Sequence, residues 1–334
     1  MKTEVLLLFI FFSCNCAIIE NTKDLFGSEK NPTSVKNKSV LEFHRSLTVA
    51  KRKRVSSEEV SCDCGTRIEG ITNRIVGGSR ARRNEFPWRC SLFTKFLRNY
   101  SVNESVLLYG YKFYCGCTIL SEKWVMTAAH CTYDSSVQGN IYVFAGDNKL
   151  GPPEDGTGQL VPVRRIYSHP NYDNVSSDND ISLLELTTSL QFGENVRPAC
   201  LPYKLKKHKF YKQNGTISGW GLKKYRDKIS SEYLRKVSLP ILTTKQCRKF
   251  FKGFPVNVTD NMFCTYTPRK DSCQGDSGGS LDLKDSETGR YFAIGVVSWG
   301  IGCAYNNIPG VFAKVTKYLK FLDATSGEKF CRVR

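Results

Sequence analysis

The sequence predicts an all-β fold, a barrel or a sandwich, that ends in one helix. Short runs rich in β-branched and aromatic residues, such as 141–145 and 293–299, are separated by Gly, Pro and Asn, which is typical of short strands joined by turns. Near the C-terminus the apolar residues recur at helical spacing instead. They are Val315, Tyr318, Leu319 and Leu322, with Lys317 and Lys320 off that face. The sequence has no internal repeat at solenoid or propeller periods.

The N-terminus has the pattern of a secretory signal that is cleaved. Residues 1–17 combine Lys2 with an apolar run at 5–12 and then small residues, and the run is too short to span a bilayer. The alternative interpretation is a buried N-terminal strand. Because the sequence has no other long uncharged apolar stretch, we expect a secreted, extracellular protein without a membrane span.

Residues 18–74 are expected to form a propeptide or activation segment. Most of this segment is polar and has neither strand nor helix periodicity, which is typical of flexible chains. The basic run 51–54 indicates either processing after Arg54 or a solvated basic segment. The composition changes at Ile75, so residues 75–334 are predicted to form the main globular domain.

Cysteines and sequons agree with an oxidising, secretory environment. The chain has 14 cysteines, of which Cys14 and Cys16 lie in the signal. Asn-x-Ser/Thr sequons, which mark candidate glycosylation sites, occur at Asn37, Asn99, Asn103, Asn174, Asn214 and Asn257. We therefore expect a disulfide-bonded glycoprotein in which some sequons are occupied.

The formal net charge of +18 indicates attraction to anionic surfaces, which for a secreted protein are sulfated polysaccharides or membrane surfaces. None of the usual nucleic-acid fold signatures accompanies the charge, so nucleic acid is not an expected partner. Lys206, Lys207 and Lys209 have a spacing that fits a heparin-like polysaccharide, and residues 245–252 add a second basic segment. The alternative is an ordinary solvated basic surface.

Three separated segments supply the groups needed for acyl transfer. They are Thr127-Ala-Ala-His-Cys131, Asp178-Asn-Asp-Ile-Ser-Leu-Leu184 and Gly275-Asp-Ser-Gly-Gly279. Cleavage of a peptide bond needs a nucleophilic hydroxyl, a base with a pKa near neutrality and an acid that fixes the tautomer of the base. Ser277, His130 and Asp180 supply these three chemistries. Each alone is weak evidence, since a lone Ser or Asp is usually a solvated cap and a lone His is often a core residue.

Glycines around Ser277 also suit a nucleophile. A tight turn with little side-chain bulk would expose the hydroxyl and let the backbone N–H groups of Gly275 and Ser277 converge on one point, where the oxyanion would form. A structural turn alone would account for the glycines but not for the Asp-Ser pair between them.

In their order, His then Asp then Ser, the three segments resemble the trypsin-like serine proteases, across nearly all of residues 75–322. The resemblance implies two packed six-stranded antiparallel Greek-key β-barrels with a C-terminal α-helix. It also implies a serine endopeptidase that works through an acyl-enzyme and needs no cofactor or metal. A calcium loop at 147–155 is the alternative, and the ligand spacing there argues against it. Ser280 departs from the family, which usually has Pro there, and this puts the local rigidity in doubt.

Three further features resemble arthropod venom and haemolymph clotting proteases in particular. They are the Cys-x-Cys-Gly sequence at 62–65, the long stretch between Leu92 and Cys115, and Asn-Glu-Phe-Pro at 84–87. The long stretch would lie at the rim of the cleft, where it would restrict protein substrates or be a tolerated insertion.

The segment Arg74-Ile75-Val76-Gly77-Gly78 resembles the family's activation site. Cleavage after Arg74 by a trypsin-like protease would free the Ile75 ammonium, which by resemblance pairs with Asp276 beside the nucleophile. Because a buried unpaired carboxylate is unfavourable, the new cation would stabilise the oxyanion loop. Before that cut the protein is expected to be a zymogen.

The resemblance further implies a specificity pocket for Arg and Lys. Asp271 aligns with the residue at the base of the pocket, where a carboxylate pairs with a cationic side chain; its alternative role is a loop cap. The residues implied for the wall and the opening are Ser298, Trp299, Gly300, Gly302 and Gly310. The expected partners are protein substrates with Arg or Lys before the scissile bond, an activating protease and protein protease inhibitors.

Family disulfides carry over to this sequence as Cys115–Cys131, Cys247–Cys264, Cys273–Cys303 and Cys64–Cys200. The last would keep the activation segment attached after cleavage. Cys90 and Cys117 replace residues that usually face one another on the first two strands of the N-terminal barrel, so we pair them. Cys62 and Cys331 are then paired by elimination.

Two rival functions belong to other classes. The first is a catalytically silent protease homologue that acts as a binding or scaffolding protein, although such proteins typically lose a member of the triad. The second is a polysaccharide-binding protein whose protease activity is incidental. Labelling with an active-site-directed fluorophosphonate distinguishes the first rival from an enzyme, and heparin retention without a proteolytic phenotype would favour the second.

Overall fold

A computed structural model describes residues 63–67, 78–98, 108–134, 138–151, 158–222, 227, 229–268, 275–301 and 308–333. Several predicted features lie outside these residues. They are the signal, the basic run 51–54, Arg74, Ile75, Asp271, Gly302, the pair Cys273 and Cys303, Cys62, and the sequons at Asn37, Asn99 and Asn103.

A short strand, β1 (Ser79–Arg80), is followed in the chain by a closed barrel of six strands. These are β2 (Arg89–Arg98), β3 (Leu108–Ile119), β4 (Trp124–Thr127), β5 (Ile141–Ala145), β6 (Gln159–Ser168) and β7 (Ser182–Leu186). The order around the barrel is β2-β3-β4-β7-β6-β5, and β5 pairs with β2 to close it. Closure leaves this sheet without an edge strand.

A second closed barrel contains the other six strands. These are β8 (Asn214–Gly219), β9 (Arg235–Leu242), β10 (Met262–Thr265), β11 (Ser280–Lys284), β12 (Tyr291–Trp299) and β13 (Gly310–Lys314). Their order is β9-β10-β13-β12-β11-β8, β8 pairs back with β9, and β1 pairs with β9 as an added strand. Pairing between the strands is antiparallel throughout both barrels. The predicted fold of two six-stranded antiparallel barrels is therefore confirmed.

The long stretch between Leu92 and Cys115 is an extension of the β2–β3 hairpin. The two strands stay paired from Arg89 opposite Thr118 to Arg98 opposite Leu108, with one irregularity after Leu92. Much of the inserted sequence is therefore regular sheet that projects beyond the barrel.

Apolar packing joins the two barrels. One buried cluster contains Trp88 and Met126 of the first barrel region together with Ala293 and Val296 of β12. A second cluster fills the second barrel, where the rings of Phe263 and Phe312 stack at 5.7 Å. Because protein interiors are close-packed, the shared cluster fixes the junction between the barrels, and the candidate site lies at that junction.

Two short helices lie in the second half of the chain. The first, α1 (Thr244–Phe250), begins with a capping box in which Thr243 and Gln246 bond each other's backbone N–H groups. The second, α2 (Leu319–Ser326), follows a 3-10 turn and ends at Gly327, which has φ +66°. This is the predicted C-terminal helix, and its Leu319 and Leu322 are buried. Among the described residues no helix is long and apolar enough to cross a membrane.

Four disulfides join pairs of described cysteines. They are Cys64–Cys200, Cys90–Cys117, Cys115–Cys131 and Cys247–Cys264. Cys90 and Cys117 lie opposite each other in the register of β2 and β3. Cys331 is also disulfide-bonded, and Cys62, its expected partner, lies outside the described residues.

Candidate active site

His130 and Asp180 meet at one end of the first barrel. His130 lies in a 3-10 turn directly after β4, and Asp180 precedes β7, which pairs with β4. The Nδ1 atom of His130 is 2.8 Å from Oδ2 of Asp180, and the His130 backbone N–H donates to Oδ1 at 2.9 Å. Because a carboxylate can only accept, Nδ1 carries the proton and Nε2 of the neutral ring is left as the acceptor. Asp180 is fully buried, whereas the His130 side chain is partly exposed.

The second barrel holds the turn that carries Asp180. The Ser298 hydroxyl, on β12, donates to Oδ2 of Asp180 at 2.5 Å. Two residues earlier, Asp178 accepts from the Thr259 hydroxyl at 2.6 Å and from Nδ2 of Asn261 at 3.1 Å. From the sequence, Ser298 was predicted in the pocket wall, and neither Thr259 nor Asn261 was predicted to lie near the site. The bonds from Ser298, Thr259 and Asn261 fix the orientation of this turn and of the Asp180 carboxylate.

The carboxylate of Asp180 favours the protonated, cationic form of the His130 ring. Burial lowers the pKa of His130, but the charge of Asp180 and its hydrogen bond raise it, and the net direction is upward. Burial raises the pKa of Asp180, yet the His130 charge and the bonds from His130 and Ser298 bring it below its usual value. Asp180 is therefore ionised at neutral pH, and it stabilises an imidazolium beside it.

Ser277 lies in a glycine-rich loop that is tied to both barrels. The N–H of Gly116, on β3, donates to the Ser277 carbonyl at 2.7 Å, and the N–H of Gly278 donates to the carbonyl of Val297 on β12 at 2.9 Å. Gly275 and Gly278 have φ values of +94° and +80°. Such values are open to glycine at no steric cost, so the loop keeps a sharp turn on either side of the serine.

The candidate nucleophile loop, residues 275–279, packs against the segment that carries His130. A Cβ atom built on Gly278 would lie 2.1 Å from Oγ1 of Thr127 and 3.2 Å from the backbone N of Ala128. These contacts bring the residue after Ser277 to within two residues of His130. Among the described residues no hydrogen bond joins Ser277 to His130, and such bonds are often long before substrate binds.

Comparison with known proteins identifies the family of this site. The family model described as Trypsin matches residues 75–322, which include His130, Asp180 and Ser277. The chain belongs to the trypsin family. It is accordingly a trypsin-like serine endopeptidase, a hydrolase that acts on protein substrates.

Individual trypsin-family relatives differ in length. The chain is 37% identical over 275 residues to Transmembrane protease serine 9 of Rattus norvegicus, covering 81% of this chain but 24% of that protein. It is 37% identical over 261 residues to Trypsin 5G1 of Aedes aegypti, covering 77% and 86%. It is 32% identical over 284 residues to Venom serine protease 34 of Apis mellifera, covering 84% and 64%. The chain thus spans about a quarter of the rat protein and under two thirds of the honeybee protein.

Four of the residues predicted for the trypsin-family specificity pocket are described, and they lie on two neighbouring strands. Ser298 and Trp299 end β12, Gly300 follows it, and Gly310 begins β13, which pairs with β12. The Trp299 ring packs on Phe251 at 5.0 Å, which fixes that end of β12. Asp271 and Gly302 lie outside the described residues.

Asp276 lies beside a second glycine pair. Its Oδ1 atom accepts from the N–H of Gly221 at 2.9 Å. A Cβ on Gly219 would lie 2.1 Å from Oδ1, and one on Gly221 would lie 2.6 Å from Oδ2. The carboxylate therefore fits closely against a backbone that only glycine permits. Its expected partner, Ile75, lies outside the described residues.

One cluster of described side chains brings three potential metal ligands together. It consists of Cys115, His130 and Cys131. The two sulfurs form the Cys115–Cys131 disulfide, and a disulfide has no thiolate to bind a metal. This donor set therefore does not suit a metal ion.

Proposed function

We propose that the chain is the secreted precursor of an endopeptidase that cleaves after Arg or Lys, with Ser277 as nucleophile, His130 as base and Asp180 as the orienting acid. The observation that supports it best is the bonded set Ser298, Asp180 and His130, placed beside the loop of Ser277 at the junction of the barrels. The three side chains come from both barrels and from distant parts of the chain.

The proposed reaction is a double displacement. Ser277 Oγ attacks the substrate carbonyl carbon as its proton passes to His130 Nε2, and the oxyanion is bound by the N–H groups of Gly275 and Ser277. Collapse breaks the C–N bond while His130 gives the proton to the leaving amine. Water then attacks the acyl-enzyme, with His130 as base, and releases the acid and the free serine. Asp180 stays ionised throughout and keeps the proton on Nδ1.

Specificity for Arg and Lys rests on Asp271 as the base of the pocket. The wall strands support this proposal because β12, which pairs with β13, is bonded through Val297 to Gly278 and Gly279 of the nucleophile loop. A carboxylate at the base would offset the desolvation of an incoming cation. The similarity to the mosquito protein named Trypsin 5G1 extends over 86% of that protein, which supports a trypsin-like preference here.

Activation would follow cleavage after Arg74, with residues 1–17 as signal, 18–74 as activation segment and 75–334 as catalytic domain. Cys64, bonded to Cys200, supports the idea that the segment stays attached. Gly65 is also anchored, since its N–H donates to Pro198 O at 2.8 Å and its carbonyl accepts from Tyr291 N at 2.9 Å. The new Ile75 ammonium would then pair with Asp276.

Extracellular location and glycosylation belong to the same proposal. The disulfides agree with an oxidising compartment. Three sequon asparagines, Asn174, Asn214 and Asn257, are exposed and accessible to a glycan. An activating protease and protein inhibitors would be the regulatory partners.

The test of the catalytic assignment is labelling with a fluorophosphonate. The precursor cut after Arg74 should label and hydrolyse small Arg and Lys amides, and Ser277→Ala should lose the label and at least about a thousandfold in kcat while its circular dichroism stays unchanged. The matched control is Ser286→Ala, an exposed serine in the turn between β11 and β12. Labelling of the Ser277→Ala enzyme would show that another residue is the nucleophile, and an uncut Arg74→Gln precursor with full activity would contradict the activation step.

A second candidate property is binding of a heparin-like polyanion. Lys206, Lys207 and Lys209 are exposed, and Lys206 Nζ lies 5.8 Å from the centre of the Tyr203 ring. Tyr203 in turn bonds Asp323 of α2, which supports joining this segment to the C-terminal helix. Lys317 and Lys320 before and within that helix are exposed as well.

A further inference from the structure

A buried arginine of the first barrel lies directly behind the nucleophile loop. Arg89 begins β2, is 2% exposed, and donates from Nη1 to Oγ1 of Thr118 at 3.3 Å. Its Nε and Nη2 atoms are buried and have no hydrogen-bond partner within the described part of the chain. A guanidinium cannot lose its proton at ordinary pH, and a buried cation is unfavourable unless a negative charge lies nearby.

The guanidinium presses against the backbone that follows Ser277. A Cβ atom on Gly279 would lie 2.0 Å from Nη2 and 2.5 Å from Nη1 of Arg89, and one on Gly116 would lie 2.9 Å from Nη2. Gly116 is the residue whose N–H holds the Ser277 carbonyl. Arg89 thus fills the space between two backbone segments that fix the serine.

A buried carboxylate of the second barrel faces the same region. Asp282, on β11, is 1% exposed, and its Oδ2 atom accepts from Nε1 of Trp88 at 2.9 Å. Its Oδ1 atom has no hydrogen-bond partner among the described residues. Trp88, the residue before Arg89, therefore joins the first barrel to this acid of the second.

The charges of these groups act on one another. Burial lowers the pKa of Arg89, and the charges of Asp282 and then Asp276 raise it. Burial raises the pKa of Asp282 to about 6, against the opposing effects of Ser280, Arg89 and Trp88. Asp276 precedes Ser277, and Asp282 lies on the strand that follows the loop. The two acids therefore flank Ser277 in sequence, and both interact electrostatically with Arg89.

We propose that Arg89 is a positioning residue, whose guanidinium balances the charge of Asp282 across the barrel junction and packs against Gly279 to hold the 275–279 loop so that Ser277 points at substrate. This rests on the proposed role of Ser277. Arg89 does not touch the reacting atoms and acts through the backbone of Gly279. Its loss should therefore lower kcat far more than it raises KM.

The main test removes the charge of Arg89 and the charge of Asp282, first separately and then together. Arg89→Gln keeps a polar side chain but leaves Asp282 unpaired, and Asp282→Asn keeps an acceptor for Trp88 but leaves Arg89 unpaired. In the full-length protein cut after Arg74, we expect each change to lower kcat about 10- to 100-fold with KM changed by less than about threefold. The double variant, Arg89→Gln with Asp282→Asn, buries no unpaired charge, so its kcat should be lowered at least about threefold less than the product of the two single losses.

A pH comparison separates positioning from packing. In Arg89→Gln the pKa of Asp282 should rise above its value near 6 because a lowering charge is gone. Below that pH the carboxyl is neutral, so the ratio of variant kcat to parent kcat should rise as the pH falls from about 8 to 5.5. The other groups that face Asp282 are Ser280, Trp88 and Tyr291, whose own pKa is raised. The titration of His130 is common to both enzymes and cancels in the ratio.

Controls make each outcome decisive. Arg164→Gln removes an arginine from an exposed ion pair with Glu185 at 3.2 Å and should leave kcat unchanged. A parent-like kcat in Arg89→Gln, a pH-independent ratio of the two kcat values, or a double variant as impaired as the product of the single losses would overturn the proposal.

Urea unfolding of the parent, the two single variants and the double variant measures the interaction between Arg89 and Asp282 without catalysis. It therefore tests this interaction even if Ser277 is not the nucleophile. A single variant that does not fold while the double variant does supports the pair, and a double variant that does not fold contradicts it.

Discussion

Asp180 shows how one buried charge is made tolerable by its neighbours. It receives the backbone N–H and ring N–H of His130 and the hydroxyl of Ser298, from both barrels. A carboxylate buried without such donors would carry a penalty of several kcal/mol. With them it remains ionised, and its pKa falls below the ordinary value in spite of burial. The same charge raises the pKa of His130, so the basicity of the histidine depends on this one residue.

Replacement of Asp180 by Asn should therefore move the pH profile. Catalysis needs neutral His130, so kcat/KM rises as the pH increases through the His130 pKa; without the Asp180 charge that pKa falls, and the acid limb should shift to lower pH. The maximal kcat should drop by at least about a hundredfold because the imidazolium loses its partner. The measurement is kcat/KM for a small Arg amide between about pH 5 and 9. Asp173→Asn, an exposed acid on the same turn, should leave the limb in place, and an unmoved limb in Asp180→Asn would contradict the coupling.

At the scale of elements, the active site depends on loops that are held by strands they do not belong to. The nucleophile loop is bonded to β3 and β12, and the Asp180 turn is bonded to β12 and to residues before β10. Glycine is needed where these segments touch. Gly278 has φ +80°, and any Cβ there would meet the backbone oxygen of Gly116 at 2.5 Å.

Gly278→Ala should consequently disable the loop. Both the positive φ and the collision oppose a side chain, so we expect stability to fall by about 3 kcal/mol and kcat by more than about tenfold. Gly289→Ala is a matched control, since Gly289 has φ +70° in an open turn with nothing within 4 Å of a Cβ. It should lose about 1–2 kcal/mol from backbone strain alone and keep full kcat. The measurements are the thermal unfolding temperature and the kcat of the two variants. Equal losses of kcat would show that contact between a Cβ at position 278 and its neighbours has no role.

The sequence allowed the fold to be predicted, and it suggested the candidate catalytic residues, because both are carried by short local motifs. The glycine-rich loop, the Ala-Ala-His-Cys turn and the C-terminal helix are each contained in a few consecutive residues. Other features depend on contacts between distant parts of the chain. Asn261 bonds Asp178, and Trp88 bonds Asp282, and no local pattern pairs them. Arg89 and Asp282 were missed because apolar periodicity does not anticipate charges in a core. The helix α1 has a readable capping box at Thr243 and Gln246, but it is too short to give a clear period.

At the scale of the whole molecule, the chain has a net charge of +18, and the cations near α1 and α2 are only partly neutralised by neighbouring acids. Two acids at this side of the molecule are paired: the partly buried Asp323 of α2 with Arg332, and the exposed Asp260 with Arg248 of α1. Burial lowers the pKa of Lys314, the charge of Lys317 lowers it further, Asp260 raises it and Arg248 lowers it, so the cations near the start of α2 lie close enough to repel one another. An anion bound there would relieve that repulsion.

Heparin affinity tests whether the surface containing Lys206, Lys207 and Lys209 is a polyanion site or merely part of a basic protein. If these exposed lysines act together, their replacement by Ala should lower the salt concentration at which the protein elutes from a heparin column, and the dependence of affinity on salt should become less steep because fewer counterions are released. The control removes equal charge from the first barrel, as Lys123→Ala, Arg164→Ala and Arg165→Ala, all exposed, and it should elute near the parent. Hydrolysis of a small Arg amide should be unchanged in both variants, because neither set includes a residue of the active site. Equal elution shifts for the two variants would mean that net charge alone retains the protein, and that the Lys206 segment has no special part in it.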